Sequence, residues 1–297
     1  MSLDPRGVKV LVRGAGDLAT GVGFRLYRAG FPVLMTELAE PRAVRRTVSF
    51  SECVFTGQCL VEGVKAIRAE SVAEAESSLA RGLADIAVIV DTEGRALAEA
   101  GAAVVVDARM AKRRNLGTTR QDAPLVIGVG PGFSAGGDVD AVVETARGHT
   151  LGRVIYRGQA IPPTGKPGDV GGYATERVLR APASGAFRTL AQLGDRVEPG
   201  QVVARVDLPE AGAALPVAAQ ISGILRGLLR DGAPVREGQK AGDVDYRFNP
   251  DALYQISDKA LAIGGGVLES VTCLLWGRPP AEADWPRGAN RQGRTEG

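Results

Sequence analysis

The stretch RGAGDLATG (residues 13–21) decides how the first half of the chain is interpreted. It follows the apolar run VKVLV and precedes FRLYRAGF, a segment typical of a helix. An apolar run that ends in glycine and leads into a helix is the pattern of a buried parallel strand followed by a tight turn. This glycine loop therefore either binds a phosphate-containing ligand or only turns the chain.

Strands and helices alternate along the first half of the chain. Short apolar runs predict strands at residues 9–14, 32–38, 64–69, 84–91, 102–109 and 124–130. Helices are predicted at residues 21–28, 71–82, 92–101 and 138–148. Ser71 is the expected N-cap of the second helix, with Glu74 three residues later as in a capping box. This order predicts an α/β domain at residues 1–154, with a mostly parallel, Rossmann-like sheet that binds ligands at the carboxyl ends of its strands.

The opening loop fits most of the dinucleotide-binding fingerprint, which reads G-x-G-x-x-G/A and is followed by an acid about 20 residues later. Gly14 and Gly16 occupy the first two positions, Ala19 occupies the third, and Glu37 supplies the acid that binds a ribose. Gly21 is an additional glycine that departs from the fingerprint, and it is also predicted to contact the ligand. The pattern predicts a nucleotide or dinucleotide at this loop.

Asp17 is the main departure from that fingerprint. A carboxylate at the start of a helix is favoured by the helix dipole but repels a nearby pyrophosphate. Asp17 could instead bind a ribose hydroxyl, a metal ion on a phosphate, or an amide. The alternative is that the glycines only turn the chain and Asp17 caps the helix.

A second glycine loop, GVGPGFSAGGDVDAVVE (residues 128–144), follows a later strand. Small residues let backbone N–H groups approach an anion, and a helix N-terminus adds positive potential. Asp138 and Asp140 are interpreted as acids at the start of that helix rather than as a catalytic pair. The ligand contacts predicted in this loop are Gly130, Gly132, Phe133, Ser134 and Gly136.

The second half of the chain contains an internal repeat. Residues 184–207 align without gaps to residues 222–245, and ten of the 24 pairs are identical. Three of the identical pairs are glycines, at positions typical of turns. The pattern resembles the biotinyl/lipoyl barrel-sandwich fold, which is built from two such halves, and predicts an all-β domain of this kind at residues 181–250.

The hairpin between the two halves (residues 207–220) contains no lysine. Carriers of the resembled fold attach biotin or lipoate to a lysine in this hairpin, and Lys240 lies elsewhere in the second half. We therefore expect no covalent biotin or lipoate on this protein. The intact mass of protein made in its native host checks this, and a mass increase equal to either cofactor would contradict it.

Three further segments complete the predicted organisation. A connector rich in Gly and Pro spans residues 155–180 and carries Lys166, Asp169 and Tyr173, which either contact the ligand site or only link the domains. Residues 251–276 are expected to form a helical segment, broken by the run GGG, that packs on the first domain. Residues 277–297 have the composition of a disordered tail.

Composition and charge restrict the classes of function. The chain has 297 residues with a formal net charge of +2, which gives no overall electrostatic signature of nucleic-acid binding. The local runs Arg45-Arg46 and Lys112-Arg113-Arg114 remain suited to a small anionic ligand. No segment resembles a signal peptide or a transmembrane helix, so a cytoplasmic protein with no membrane partner is expected. Three cysteines without a C-x-x-C motif and one histidine predict no metal site.

Three stretches together resemble the YqeB family, which is named for maturation of selenium-dependent molybdenum hydroxylases. They begin at Arg13, Lys112 and Ile256, and the resemblance spans roughly residues 8–275. That family is also similar to the Rossmann part of XdhC-type chaperones, which mature the molybdenum cofactor of xanthine dehydrogenase-like enzymes. The resemblance implies a maturation or delivery factor whose partners are a molybdenum hydroxylase apoenzyme or other maturation proteins. The implied ligand is a nucleotide, either NAD(P) or a molybdopterin-type dinucleotide, and no catalytic residue is implied.

Other functions stay open at this point. Cys53 and Cys59 could transfer sulfur or selenium, although a transfer cysteine needs an electropositive, partly exposed setting. An NAD(P)-dependent oxidoreductase is compatible with the predicted fold, with His149 as an unusual sole histidine for proton transfer. A non-catalytic nucleotide-binding scaffold is compatible as well. The sequence does not determine the oligomeric state.

Overall fold

A computed structural model describes residues 4–111, 115–163, 165, 172–209 and 212–275, without the side chains of residues 274 and 275. Its first part is a nine-stranded sheet with the strand order β3-β4-β5-β2-β1-β6-β7-β8-β9. The strands are β1 (Val10–Arg13), β2 (Val33–Glu37), β3 (Gln58–Val61), β4 (Val64–Ala69), β5 (Ile86–Val90), β6 (Val104–Asp107), β7 (Leu125–Val129), β8 (Ala141–Val143) and β9 (Val154–Ile155). The basic run 112–114, Lys166, Asp169 and the predicted tail 277–297 lie outside the described residues.

Helices cover both faces of this sheet. They are α1 (Asp17–Arg28), α2 (Cys53–Thr56), α3 (Val72–Ala80), α4 (Ala96–Glu99) and α5 (Asp258–Leu275). Side chains alternate between the faces of a strand, so Val10 and Val12 pack in the same cluster as α1 and α5. Leu11 packs on the opposite face with α3 and α4. Ser71 is the N-cap of α3 as predicted, since its hydroxyl accepts a hydrogen bond from the Glu74 N–H.

The second part consists of two four-stranded antiparallel sheets around their own apolar core. The strand orders are β10-β17-β15-β12 and β14-β13-β11-β16. The strands are β10 (Val178–Arg180), β11 (Gly185–Thr189), β12 (Arg196–Val197), β13 (Val202–Asp207), β14 (Ala214–Ala218), β15 (Gly223–Leu228), β16 (Pro234–Val235) and β17 (Lys240–Asp245). Each half of the sequence repeat gives its short middle strand to the other half, because β12 pairs with β15 and β16 pairs with β11.

The repeat preserves one close backbone contact in both halves. A Cβ added at Gly185 would overlap the carbonyl of Asp207, and a Cβ added at Gly223 would overlap the carbonyl of Asp245. Both pairs are related by the 38-residue offset of the repeat. Glycine is required at these two positions because the neighbouring strand leaves no room for a side chain.

The predicted fold class, a Rossmann-like parallel sheet followed by a biotinyl/lipoyl-like barrel-sandwich domain, is wrong. The large sheet is mixed, since β3 and β9 pair antiparallel with their neighbours at its two edges. The second part is a pair of separate antiparallel sheets. The helix expected at residues 138–148 is instead the strand β8, because its apolar residues pair with β7 and are buried. Asp138 and Asp140 accept hydrogen bonds from the backbone N–H groups of Ser134 and Val126, and so hold a loop and a strand edge.

The helix α5 is continuous, although the sequence predicted a break at its three glycines. Two of these glycines let other parts of the backbone approach closely. An added Cβ at Gly264 would overlap the carbonyl of Gly21 in α1, and one at Gly266 would overlap the carbonyl of Gly152. Tertiary contacts therefore compensate for the low helix propensity of glycine. None of the described helices is both long enough and apolar enough to cross a membrane.

Candidate functional site

A cleft with a volume of about 1330 Å³ lies between the two parts of the molecule. One wall is the carboxyl edge of the parallel strands, where the residues that end or follow β1, β2, β5, β6 and β7 meet. The opposite wall is formed by β10, β15 and β17. Ligand sites typically measure roughly 300–1,000 Å³, so this cleft has room for a dinucleotide.

The glycine loop lies on the sheet side of the cleft. Gly14 has φ +104°, and an added Cβ would come within 3.2 Å of the carbonyl oxygen of Ala108, so the turn itself requires glycine. Gly16 differs, because its φ of −70° suits any residue and no heavy atom lies within 4 Å of an added Cβ. Gly16 is the N-cap of α1 and leaves open space on the cleft.

Glu37 lies at the end of β2 and lines the cleft, as the fingerprint predicts. Its carboxylate accepts hydrogen bonds from the backbone N–H groups of Ala15, at 3.0 Å, and of Leu38, at 2.8 Å. Burial raises the pKa of Glu37 despite these two bonds. Glu37 therefore holds the glycine loop in place, and each oxygen keeps a second lone pair for a ligand.

Asp17 is joined to a buried arginine. Its Oδ1 lies 3.3 Å from Nη1 of Arg45, whose other Nη donates to the carbonyl oxygens of Ala252 and Gln255. Arg45 is 5% exposed, and its Nε has no hydrogen-bond partner among the described residues. This contact ties the start of α1 to the segment that leads into α5.

The other predicted residues of the first loop lie in different surroundings. Ala19 lines the cleft, although it is largely buried. Gly21 lies instead at the contact between α1 and α5, where an added Cβ would overlap the carbonyl of Ala260 and lie 2.8 Å from its Cβ.

The second glycine loop contributes little to the cleft that the first glycine loop lines. Of the described residues that line the cleft, only Pro131 comes from the loop at residues 130–137. Phe133 is 4% exposed and packs against Gly128, where an added Cβ would lie 2.5 Å from the ring. The predicted ligand contacts in this loop do not line the cleft, namely Gly130, Gly132, Phe133, Ser134 and Gly136.

The described lining of the cleft is strongly basic, with ten Lys or Arg and four Asp or Glu side chains. Sequence reasoning proposed only Arg45 among the ten. On the sheet side, Arg109 is paired with Asp107, whose carboxylate also accepts from the Thr118 hydroxyl. Burial raises the pKa of Asp107, but these hydrogen bonds outweigh it and hold the pKa below its ordinary value. Arg13 donates to the same Thr118 hydroxyl at 2.6 Å.

The wall formed by β15 and β17 contains a polar cluster that the sequence analysis missed. Asp243, which is 1% exposed, accepts from Arg177, Arg226 and Lys240 at 2.6 to 3.1 Å. Arg226 also donates to Asp245 at 3.0 Å. The repeat carried a usable signal, since its first half has Arg205 where the second has Asp243 and Val202 where the second has Lys240.

This cluster predicts a loss of stability in acid. Burial opposes the ionisation of Asp245, but bonds from Arg247 and the charge of Arg226 lower its pKa to about 2. An unfolded Asp titrates near a pKa of about 3.9, so the stabilisation is complete above that pH and is lost as the pH falls toward 2. The free energy of unfolding, measured from pH 6 to pH 2.5, should fall less steeply below pH 4 in Asp245→Asn than in the unmodified protein. Equal slopes would contradict the prediction.

Cys53 and Cys59 lie outside the lining of the cleft. A hydrogen bond to Cys59, together with burial, raises the pKa of Cys53 well above its ordinary value. Cys59 Sγ lies 3.6 Å from the carbonyl oxygen of Phe50. Among the described residues, no group of three or more His, Cys, Asp or Glu side chains could hold a metal ion.

Comparison with known proteins gives one strong sequence relative. The chain is 48% identical over 266 residues to the uncharacterized protein YqeB of Escherichia coli (strain K12). The chain is therefore similar to YqeB over most of its own length. The match covers 90% of the chain, and it supports the resemblance to the YqeB family. The chain spans 48% of the length of that YqeB protein. No protein-family model matches the present chain.

Solved structures give only weak matches. An aspartoacylase family protein from Mesorhizobium loti has 14% identity and a TM-score of 0.27, and the match covers 80% of this chain and 84% of that chain. A succinylglutamate desuccinylase/aspartoacylase from Rhodobacter sphaeroides has 12% identity and a TM-score of 0.25, covering 80% and 85%. TM-scores below 0.5 do not establish a common fold.

Proposed function

We propose that this protein binds a nucleotide-type ligand in the cleft and serves as a maturation or delivery factor for molybdenum hydroxylases, including selenium-dependent ones. In this role the ligand is a nucleotide or dinucleotide, of the NAD(P) or molybdopterin type. The partners are the hydroxylase apoenzyme or other maturation proteins, and the site of action is the cytoplasm.

The observation that carries the ligand proposal is the basic cleft at the carboxyl edge of the sheet. Ligands of open α/β sheets bind beyond the carboxyl ends of the strands. Gly16 leaves space there for a ligand to approach the start of α1, whose N-terminus favours negative charge. Ten basic side chains among the described residues line the same cavity, which suits an anionic ligand.

The maturation role rests on family relationship. The homology to YqeB covers 90% of this chain. The resemblance of that family to XdhC-type chaperones supports a role in inserting or delivering a molybdenum cofactor. A cofactor of that kind carries phosphate, which agrees with the charge of the cleft.

Native mass spectrometry of freshly purified protein tests the ligand directly. We expect a co-purified nucleotide, and stabilisation in a thermal shift assay by at least one of NAD, NADP, FAD, CTP, ATP or a pterin dinucleotide. A ligand at one hundred times its dissociation constant stabilises the folded state by about 2.7 kcal/mol. No co-purified nucleotide and no shift at millimolar concentrations would reject the ligand proposal.

A cellular assay tests the maturation role. Deleting the gene should lower molybdenum hydroxylase activity while leaving the amount of apoenzyme unchanged, and the intact gene should restore that activity. Turnover of a small substrate by the purified protein alone, together with normal hydroxylase activity in the deletion strain, would favour an independent enzyme instead.

A further inference from the structure

We propose that the ligand binds in one orientation, with its phosphates on the wall formed by Arg180, Arg226 and Lys240 and its sugar or base at the glycine loop. This inference rests on the proposed function for the class of ligand. It reverses the usual arrangement of a glycine loop, in which the loop itself contacts the phosphates.

The charges of the two walls carry this proposal. The four acidic side chains in the described lining all lie on the sheet side. They are Asp17, Glu37, Asp91 and Glu93. The β10, β15 and β17 wall, with the turn before it, contributes only basic ionisable groups to the described lining: Arg177, Arg180, Arg226 and Lys240.

The first part of the molecule contributes the other six basic side chains of the described lining, and four of these six have acidic partners. Arg45 is paired with Asp17, and Arg109 is paired with Asp107. A diphosphate at this loop would lie beside the carboxylates of Asp17 and Glu37, which line the same cavity, and would be repelled by them.

The opposite wall keeps an excess of positive charge in a fixed arrangement. Asp243 and Asp245 are the two carboxylates of the cluster, and they bind four cationic side chains. Three of the four, Arg177, Arg226 and Lys240, line the cleft and are held by the buried Asp243. A guanidinium held by carboxylates is preoriented, and arginine and lysine both bind phosphate oxygens through charge-assisted hydrogen bonds.

The sheet side then has a role that suits its acids. Carboxylate oxygens accept hydrogen bonds from the hydroxyl groups of a sugar or the amino groups of a base. Asp17 and Glu37 provide such acceptors in the cleft beside the open space at Gly16. Asp17, which does not fit a pyrophosphate-binding loop, is therefore compatible with this orientation.

Binding of inorganic pyrophosphate, measured by calorimetry, tests the orientation without any nucleotide. The double variant Arg180→Gln, Lys240→Gln should bind pyrophosphate at least tenfold more weakly than the unmodified protein. Arg236→Gln is the matched control, because Arg236 is an exposed arginine of the same region that does not line the cleft. Its affinity should stay within twofold. Arg180→Gln alone, at an exposed side chain, gives a second measurement if the double variant folds poorly.

The outcomes separate this inference from the proposed function. Unchanged pyrophosphate binding by the double variant, with tighter binding by Asp17→Asn, would put the phosphates at the glycine loop and overturn the inference. If the double variant bound a nucleotide as tightly as the unmodified protein does, the inference would also be overturned, while the proposed function would stand. If the double variant bound pyrophosphate more weakly but the unmodified protein bound no nucleotide, phosphate binding at the wall formed by Arg180, Arg226 and Lys240 would be supported and the proposed function rejected.

Discussion

Gly16→Val is expected to abolish stabilisation by the bound nucleotide while leaving the ligand-free fold intact. The valine side chain would occupy the open space beside the loop, where no protein atom lies within 4 Å of an added Cβ. The backbone at this position has φ −70° and needs no glycine. Valine is a poorer N-cap than glycine, so the ligand-free protein should lose only up to about 1 kcal/mol. The stabilisation of about 2.7 kcal/mol at one hundred times the dissociation constant should disappear.

Thermal unfolding with and without the nucleotide identified by mass spectrometry measures this effect. The control is Gly265→Val, because this glycine of α5 also has open space around an added Cβ and does not line the cleft. The control should keep the ligand-induced shift. If the nucleotide raised the unfolding temperature of Gly16→Val as much as that of the unmodified protein, the ligand would lie away from the glycine loop.

Gly21→Ala is expected to destabilise the protein by about 3 kcal/mol, at the upper end of the range for overpacking a well-packed core. The added Cβ would overlap the carbonyl of Ala260, and a helix backbone cannot move aside as a flexible side chain can. The two helices α1 and α5 would have to separate, which would loosen the apolar cluster that they share with the sheet. Denaturation by urea at neutral pH measures the change in the free energy of unfolding.

Gly265→Ala is the matched comparison for this substitution. It lies in α5 one residue from Gly264, which contacts Gly21, but no heavy atom lies within 4 Å of its added Cβ. Alanine favours a helix over glycine by about 1 kcal/mol, so this variant should be as stable as the unmodified protein or more stable. If Gly21→Ala had the same free energy of unfolding as Gly265→Ala, the close contact between α1 and α5 would not limit the packing.

The same contact explains why Gly21, a predicted ligand contact, lies outside the cleft. Gly16 and Gly21 are both glycines of one nine-residue stretch, and the sequence alone gave both the same predicted role as ligand contacts. In the structure one faces the cleft and the other faces α5, which begins more than 230 residues later. The helix α1 turns by about 100° per residue, so neighbouring small residues point to different surroundings.

Local patterns in the sequence were sufficient where the structure depends on local properties. Continuous apolar runs predicted β1, β2, β5, β6 and β7, since central parallel strands are buried on both faces. Hydrogen bonding to Ser71 at the start of α3 depends on residues only three apart. The repeat predicted an all-β region, because glycine and valine recur at fixed spacing in both halves.

Other features depended on contacts between distant segments. Residues 141–143 became a strand because the edge of β7 was available for pairing, although their acidic flanks suggested a helix. The three glycines of α5 stayed helical because α1 and the turn at Gly152 approach them closely. The sequence by itself determined the buried strands, the glycine loop and the repeat, since each follows from burial and turn preferences within a few residues. Only the tertiary structure decided that Lys240 and Arg226 face the loop at Gly16 across one cleft, because long-range packing brings together charges that lie more than 200 residues apart.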